Sequence, residues 1–234
     1  MTRQPETAPR APLSRERVLR AAVALADSIG IEALSMRRLA QELGVVPMAL
    51  YKHVAHKEEL LDGMVETVVG EIPPPAPGTG WQGAVRLRIL SARAALLSHP
   101  WAAQVIRSRT GPTPAVLAHM DAVIGTFRAG GLSVDLTHHA MHALGSRVLG
   151  FTQEVFDAAP GPAPRQPAAL PPEAAAAYPH VAELATAAAH DGDSVMGGGC
   201  DDRFEFEFAL DLLLDGFERL HRQGWTSAGG GAAG

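Results

Sequence analysis

Residues 35–53 read SMRRLAQELGVVPMALYKH, two short helix-like patterns with Gly44 between them. In the first, Met36, Leu39, Ala40 and Leu43 fall on one stripe of helical period. Ser35 is placed to cap it, and Arg37 and Arg38 lie near its start. Gly44 stands where a left-handed backbone costs least, and Pro47 where a second helix would begin without needing its amide hydrogen. The second pattern runs from Val46 to His53. Val46, Ala49 and Leu50 read as its anchors, leaving Met48, Tyr51, Lys52 and His53 to point outward. A glycine turn between two short helices is how many proteins place a helix in the major groove. An ordinary helical hairpin with a solvated face has the same spacing, so the motif by itself leaves both readings open.

The flanking sequence supplies what such a pair needs. Two short helices cannot bury their own apolar faces, so a longer helix must floor them. Between Leu13 and Ile29, residues Val18, Leu19, Ala22, Val23, Leu25 and Ala26 form a wide apolar stripe, bounded by Pro12 and Gly30. After a break at Val54–His56, Leu60, Leu61, Met64, Val65 and Val68 predict a further helix running to Gly70. Glu58 and Glu59 suit its first turn, and Lys57 at its start reads either as a phosphate contact or, as a bare lysine, as a solvated residue.

Charge is unevenly placed. The 234 residues carry a formal charge of −5, yet residues 1–60 hold nine Arg and Lys against seven Asp and Glu. An acidic total does not exclude DNA, because a local patch makes the contacts. The single cysteine, Cys200, excludes an internal disulfide and a cysteine-based zinc site, and with it a zinc finger. There is no apolar run of membrane-spanning length and no basic-then-apolar leader pattern, so a cytoplasmic protein without a membrane role is expected.

No alternating pattern is long enough for a sheet, and the chain reads as all-α. A tail is expected over 1–12, a helix-turn-helix domain over 13–60, and a larger helical effector-binding and dimerisation domain over 61–225. Mobile loops are expected at about 157–172 and 191–202, and a second tail over 226–234. Helical patterns recur at residues 81–97, 101–107, 114–129, from 133 or 135 to about 156, at 182–190 and at 204–223. The last of these, and the one through Ala140 to Phe156, are apolar over more width than one packing face needs. Pairing across a two-fold axis would use that width, giving a homodimer.

Taken together, Gly30, Ser35, Leu39-Ala40, Leu43-Gly44-Val45, Leu50-Tyr51, His53, Lys57 and Leu60-Leu61 resemble the N-terminal domain of the TetR family of bacterial transcriptional regulators. Trp81, the run Ala95 to His99, Gly145 and Leu149-Gly150 resemble the C-terminal domain of its tetracycline-repressor branch. The resemblance implies a homodimer whose two recognition helices enter successive major grooves of a near-palindromic, double-stranded operator. It places Val46, Pro47, Met48, Ala49 and Lys52 toward bases, and Tyr51, His53 and Lys57 on the phosphate backbone. Arg37 lies where an arginine touches a base edge or phosphate. Chemically, Arg37 suits a guanine and Met48 a thymine methyl.

The resemblance also implies a small-molecule effector. In the tetracycline branch the drug arrives with magnesium, but this chain has Ile106 and Ser146 where that branch has histidines, and only Glu154 matches a carboxylate that reaches the metal. No metal or cofactor is therefore expected. A larger, mostly apolar organic effector of the antibiotic or secondary-metabolite class is. Its candidate walls are Trp101, Val105, Ile106, Arg109, Met120, Ile124, Phe127, His142 and Phe151, with Glu154 beside them. His138, His139 and His142 share a helix, yet no acid or cysteine is tied to them by spacing, so packing or one hydrogen bond to the effector is their expected role. The leading function is a ligand-released repressor. An activator or ligand-independent binder would keep the same head, while an enzyme lacks any nucleophile, base and orienter at interpretable spacing.

Overall fold

Burial of two amphipathic helices against each other organises the first part of the chain. The computed structural model describes residues 12–74, 78–150, 172–187 and 202–228. Helix α1 (Arg15–Ile29) begins where the Ser14 hydroxyl accepts from the Arg17 amide at 3.2 Å, and buries Val18, Leu19, Ala22, Val23, Leu25 and Ala26. Helix α4 (Lys57–Gly70) buries Leu60, Leu61, Met64, Val65 and Val68. These are the two stripes expected from the sequence. Gly63 lets α1 and α4 approach closely, since a Cβ there would stand 2.6 Å from Leu19 Cδ2. Between them come a single 3-10 turn (Ile31–Ala33), α2 (Met36–Leu43) and α3 (Pro47–Leu50), with α1 packing on α2 and α2 on α3.

The remaining helices are α5 (Gly80–Ser98), α6 (Ala102–Ser108), α7 (Pro114–Ala129), α8 (Val134–Gly150), α9 (Pro172–Ala177), α10 (Pro179–Ala187) and α11 (Asp202–Arg222). All regular structure among the described residues is helical, as the pattern implied. Most boundaries fall within two or three residues of those expected. Helix α9 was not expected, although Pro172 at its first position, Glu173 in its first turn and four alanines are helix-favouring. The expected tails and the loops near 157–172 and 191–202 lie almost wholly outside the described residues, as does the continuation of α8 toward Phe156.

The described residues fall into two compact units: those before 78 with Ser91–Gly125, and Gly78–Leu90 with those from 126 onward. Helices α5 and α7 contribute to both. In the first unit α6 packs on α4. In the second, Phe127 is fully buried between Trp81 (ring centroids 5.5 Å apart) and Phe217 (6.1 Å), and α8 packs on α11. Arg86 on α5 ties to Glu207 and Asp211 on α11, both at 2.7 Å, and Arg147 on α8 lies over the Phe206 ring at 5.3 Å.

Trp81 lies flat against Gly130, where an added Cβ would meet three of its atoms at 2.4–2.6 Å. Gly130→Ala is therefore expected to cost about 1–3 kcal/mol by forcing the indole aside. Gly125→Ala, on an exposed turn of α7 with nothing within 4 Å, is expected to add roughly 0.5–1 kcal/mol through helix propensity. Denaturant titration of both variants checks the pair.

Candidate nucleic-acid interface

The turn between α2 and α3 is closed at every polar group that matters. Ser35 Oγ accepts from the Arg38 amide at 3.2 Å, as expected of an N-cap. Gly44 adopts φ 66°, ψ 38°, and the next amide, that of Val45, donates back to the Ala40 carbonyl at 2.9 Å. This is a Schellman closure, and it needs the left-handed residue that glycine supplies. Pro47 then opens α3, with Val46 as an extended cap residue.

Two expectations for the second helix need correcting. The sequence pattern predicts a helix running to His53, but α3 is one turn, Pro47–Leu50, followed by a turn over 51–53. His53 and Val54 both donate to the Leu50 carbonyl, at 2.8 and 3.0 Å, so the hydrogen-bond ladder tightens there and stops. Val46 was read as an apolar anchor, yet it is 68% exposed; Leu50 and Val54, four residues apart, are the buried anchors. The apolar signal at 46 belongs to the outer surface, where the family resemblance had put it.

That outer surface carries Val46, Pro47, Met48 (72% exposed), Tyr51 (44%) and Lys52, with Ala49 and His53 half-buried. Arg37, Arg38 and Lys57 are exposed on the adjoining helix starts. The acids beside them are occupied. Glu59 accepts from the Ala55 amide at 2.7 Å, while the His56 ring caps α4 by accepting from the Glu59 amide at 3.1 Å. Glu58 and Asp62 are paired with the Arg109 guanidinium at 2.6 and 3.3 Å. Burial works against the charge on Arg109, but its bonds to Glu58 and Asp62 outweigh that and hold it firmly protonated. The exposed cations Arg37, Arg38, Lys52 and Lys57 outnumber the exposed Glu42 of α2, and with the apolar surface at α3 they suit phosphates and thymine methyls.

The residues expected to line an effector site are distributed between the two units. Trp101 and Val105 are buried, Ile106 is half-buried, and all three lie on or beside α6. Arg109, expected among the effector walls, gives its guanidinium to α4. Met120 is exposed and Ile124 half-buried on α7, and Phe127 is core. His142 is exposed, its ring 4.6 Å from that of His138, so core packing does not account for these histidines. Phe151 and Glu154 lie outside the described residues. Among the described residues no group of three metal-type ligands converges. An open polar hollow in the second unit, lined by Gln82, Asp215, Glu218, Arg219, Arg222 and Gln223, contains none of the effector candidates.

One polar cluster has no counterpart in the sequence pattern. His99, at the end of α5, places Nδ1 2.9 Å from Asp27 on α1 and Nε2 3.2 Å from Glu71 at the end of α4. The Trp101 indole N–H donates to the same Asp27 carboxylate at 2.6 Å. Burial opposes a charge on His99, but its bonds to Asp27 and Glu71 raise its pKa above the ordinary value.

Residues 74–221 match the family described as tetracyclin repressor-like, C-terminal domain, and residues 18–64 match the tetR family of bacterial regulatory proteins. The HTH-type transcriptional repressor DrrR1 of Streptomyces coeruleorubidus is 39% identical over 133 residues, 56% of this chain and 49% of that protein. The tetracycline repressor protein class G of Vibrio anguillarum is 30% identical over 215 residues, 89% of this chain and 95% of that one. Apo ActR from Streptomyces coelicolor superposes with a TM-score of 0.69 at 25% identity, over 93% of this chain and all 100% of the other. ActR in complex with actinorhodin gives 0.64 at 26% identity, over 89% and 98%. The chain spans about half the length of curated relatives such as DrrR1.

Ser35→Ala removes the acceptor for the Arg38 amide and is expected to cost about 1 kcal/mol, whereas Ser35→Asp keeps an acceptor and is expected to be near neutral. Gly44→Ala places a Cβ on a left-handed residue and is expected to cost roughly 1–2 kcal/mol. Thermal melts of the three variants read these differences directly.

Proposed function

The chain belongs to the TetR family of bacterial regulators, and on that premise we propose that it is a ligand-released transcriptional repressor. It binds a near-palindromic operator as a homodimer, one reading head per major groove. The observation that carries this reading is the one-turn α3, held out by the Gly44 turn with Val46, Met48, Tyr51 and Lys52 exposed on it and Arg37 beside it. Folding alone gives no reason to leave Val46 and Met48 in water. Base edges would use Arg37 and the apolar tip, and phosphates Tyr51, Lys52, His53 and Lys57.

A single head with so few cations binds weakly, and duplication multiplies its effect through local concentration. Helix α11 offers a second copy an apolar stripe, with Phe204, Phe208 and Leu212 exposed at intervals of four residues. Matching heads about 34 Å apart then fit successive turns of DNA. An effector favouring a different spacing lowers operator affinity by its differential affinity for the two arrangements. The repressor sense is supported by the likeness to DrrR1, and an organic effector of metabolite size by the likeness to ActR, whose complex holds actinorhodin. The family is one of regulators rather than enzymes.

The test is fluorescence anisotropy on the DNA upstream of the protein's own gene, against a scrambled duplex, over a range of salt. The expected result is a preference of about a thousandfold, lost in the Arg37→Ala, Tyr51→Ala double variant. Equal binding to both duplexes with steep salt dependence leaves only phosphate attraction and overturns the operator reading. Absence of binding after denaturation and ligand-free refolding overturns it as well.

A further inference from the structure

The cluster around the buried His99 ring joins three helices. Asp27 comes from the last turn of α1, Glu71 is the residue that follows α4, and His99 and Trp101 lie between α5 and α6. His99 is only 8% exposed, while the carboxylates of Asp27 and Glu71 keep partial access to water. Each ring nitrogen faces a carboxylate. A neutral imidazole has one N–H and one lone pair, so it can donate to only one of them and must aim its lone pair at the other. The imidazolium has two N–H groups and satisfies both. Asp27 and Glu71 are the charged groups acting on the ring, and the Trp101 indole, which is neutral, shares Asp27 with it.

We propose that His99 is a protonation-dependent pin, a positioning residue that fastens the ends of α1 and α4 to the start of α6 only as the imidazolium. At the far end of α6, Arg109 fastens the helix to the first turn of α4 through Glu58 and Asp62. Helix α6 lies against α4 and is thus clamped at both ends, one clamp permanent and one titratable. Because the pKa of His99 is raised from 6.5, the stabilisation is fully present at and below about that pH. It is lost as pH rises through the higher, folded-state value. A pinned head loses less freedom on docking than a loose one, so operator affinity follows the pin; that consequence rests on the operator-binding reading above.

Two measurements test it, with His99→Gln, which cannot become charged, as the reference. Hydrogen exchange, corrected for the intrinsic pH effect, is followed in peptides spanning 64–72 and 99–106 at pH 6.0 and 8.5. The expected result is about a tenfold loss of protection with rising pH in the wild type, and low, flat protection in His99→Gln. Equal pH profiles in the two proteins overturn the pin. The second arm is anisotropy on the upstream DNA at both pH values. Wild type is expected to weaken by about three- to tenfold more than His99→Gln does, His53 being common to both. A matching change in His99→Gln severs the pin from DNA binding. Failure of every protein to bind this DNA counts against the operator reading, and the exchange arm still decides the pin.

Discussion

A helix of one turn has no stability of its own, and α3 is such a helix. Its existence depends on burying Leu50 and Val54, and on packing against α2, which buries Leu39, Ala40 and Leu43 and itself packs on α1. That burial is the constraint on which the reading head rests. Gly63 allows α1 and α4 to close up, the Ser35 cap and the Gly44 closure orient the helix pair, and Pro47 starts α3 at a fixed backbone angle. Once the inner faces are committed in this way, the outer face has no folding role left. Val46, Met48, Tyr51 and Lys52 are free to be chosen for what they touch.

The electrostatics follow the same division. The chain is acidic overall, and three acids in the first turns of α4 are held in place. Glu59 caps a backbone amide, while Glu58 and Asp62 share Arg109. Exposed ion pairs contribute little to stability, but the Arg109 side chain is largely buried, so its pairing is structural. It both removes negative charge from the approach to DNA and ties α6 to α4. The acidic remainder of the molecule then limits adhesion to DNA at large, which leaves discrimination to a few contacts at α3.

How much of this was legible depends on whether a signal is local. The buried stripes of α1 and α4 could be read residue by residue, because an amphipathic helix writes its inner face in its own period. Caps and the glycine turn were legible for the same reason. The length of α3 was not: Tyr51–His53 carry helix-compatible residues, and only the switch of two amides onto the Leu50 carbonyl ends the helix. Val46 misled because an apolar residue reads as core unless its partner is known. Helix α9 was hidden by its resemblance in composition to the Pro- and Ala-rich stretch before it. The His99 cluster gathers residues up to 74 positions apart, which no periodicity connects.

The effector residues show where a resemblance stops helping. Arg109 is a candidate wall residue, yet in this chain an arginine at the end of α6 meets two acids on α4. Phe127 was suggested as a wall, but fully buried between Trp81 and Phe217 it is a core residue, and removing it would disturb folding before it disturbed binding. Ile106, Ile124 and Met120 still have surface to give. All three are apolar, so what they offer an effector is area rather than directed bonds. Recognition resting on area tolerates variation among ligands of similar shape, because one methylene in such a wall changes binding by only about 1–3 kcal/mol.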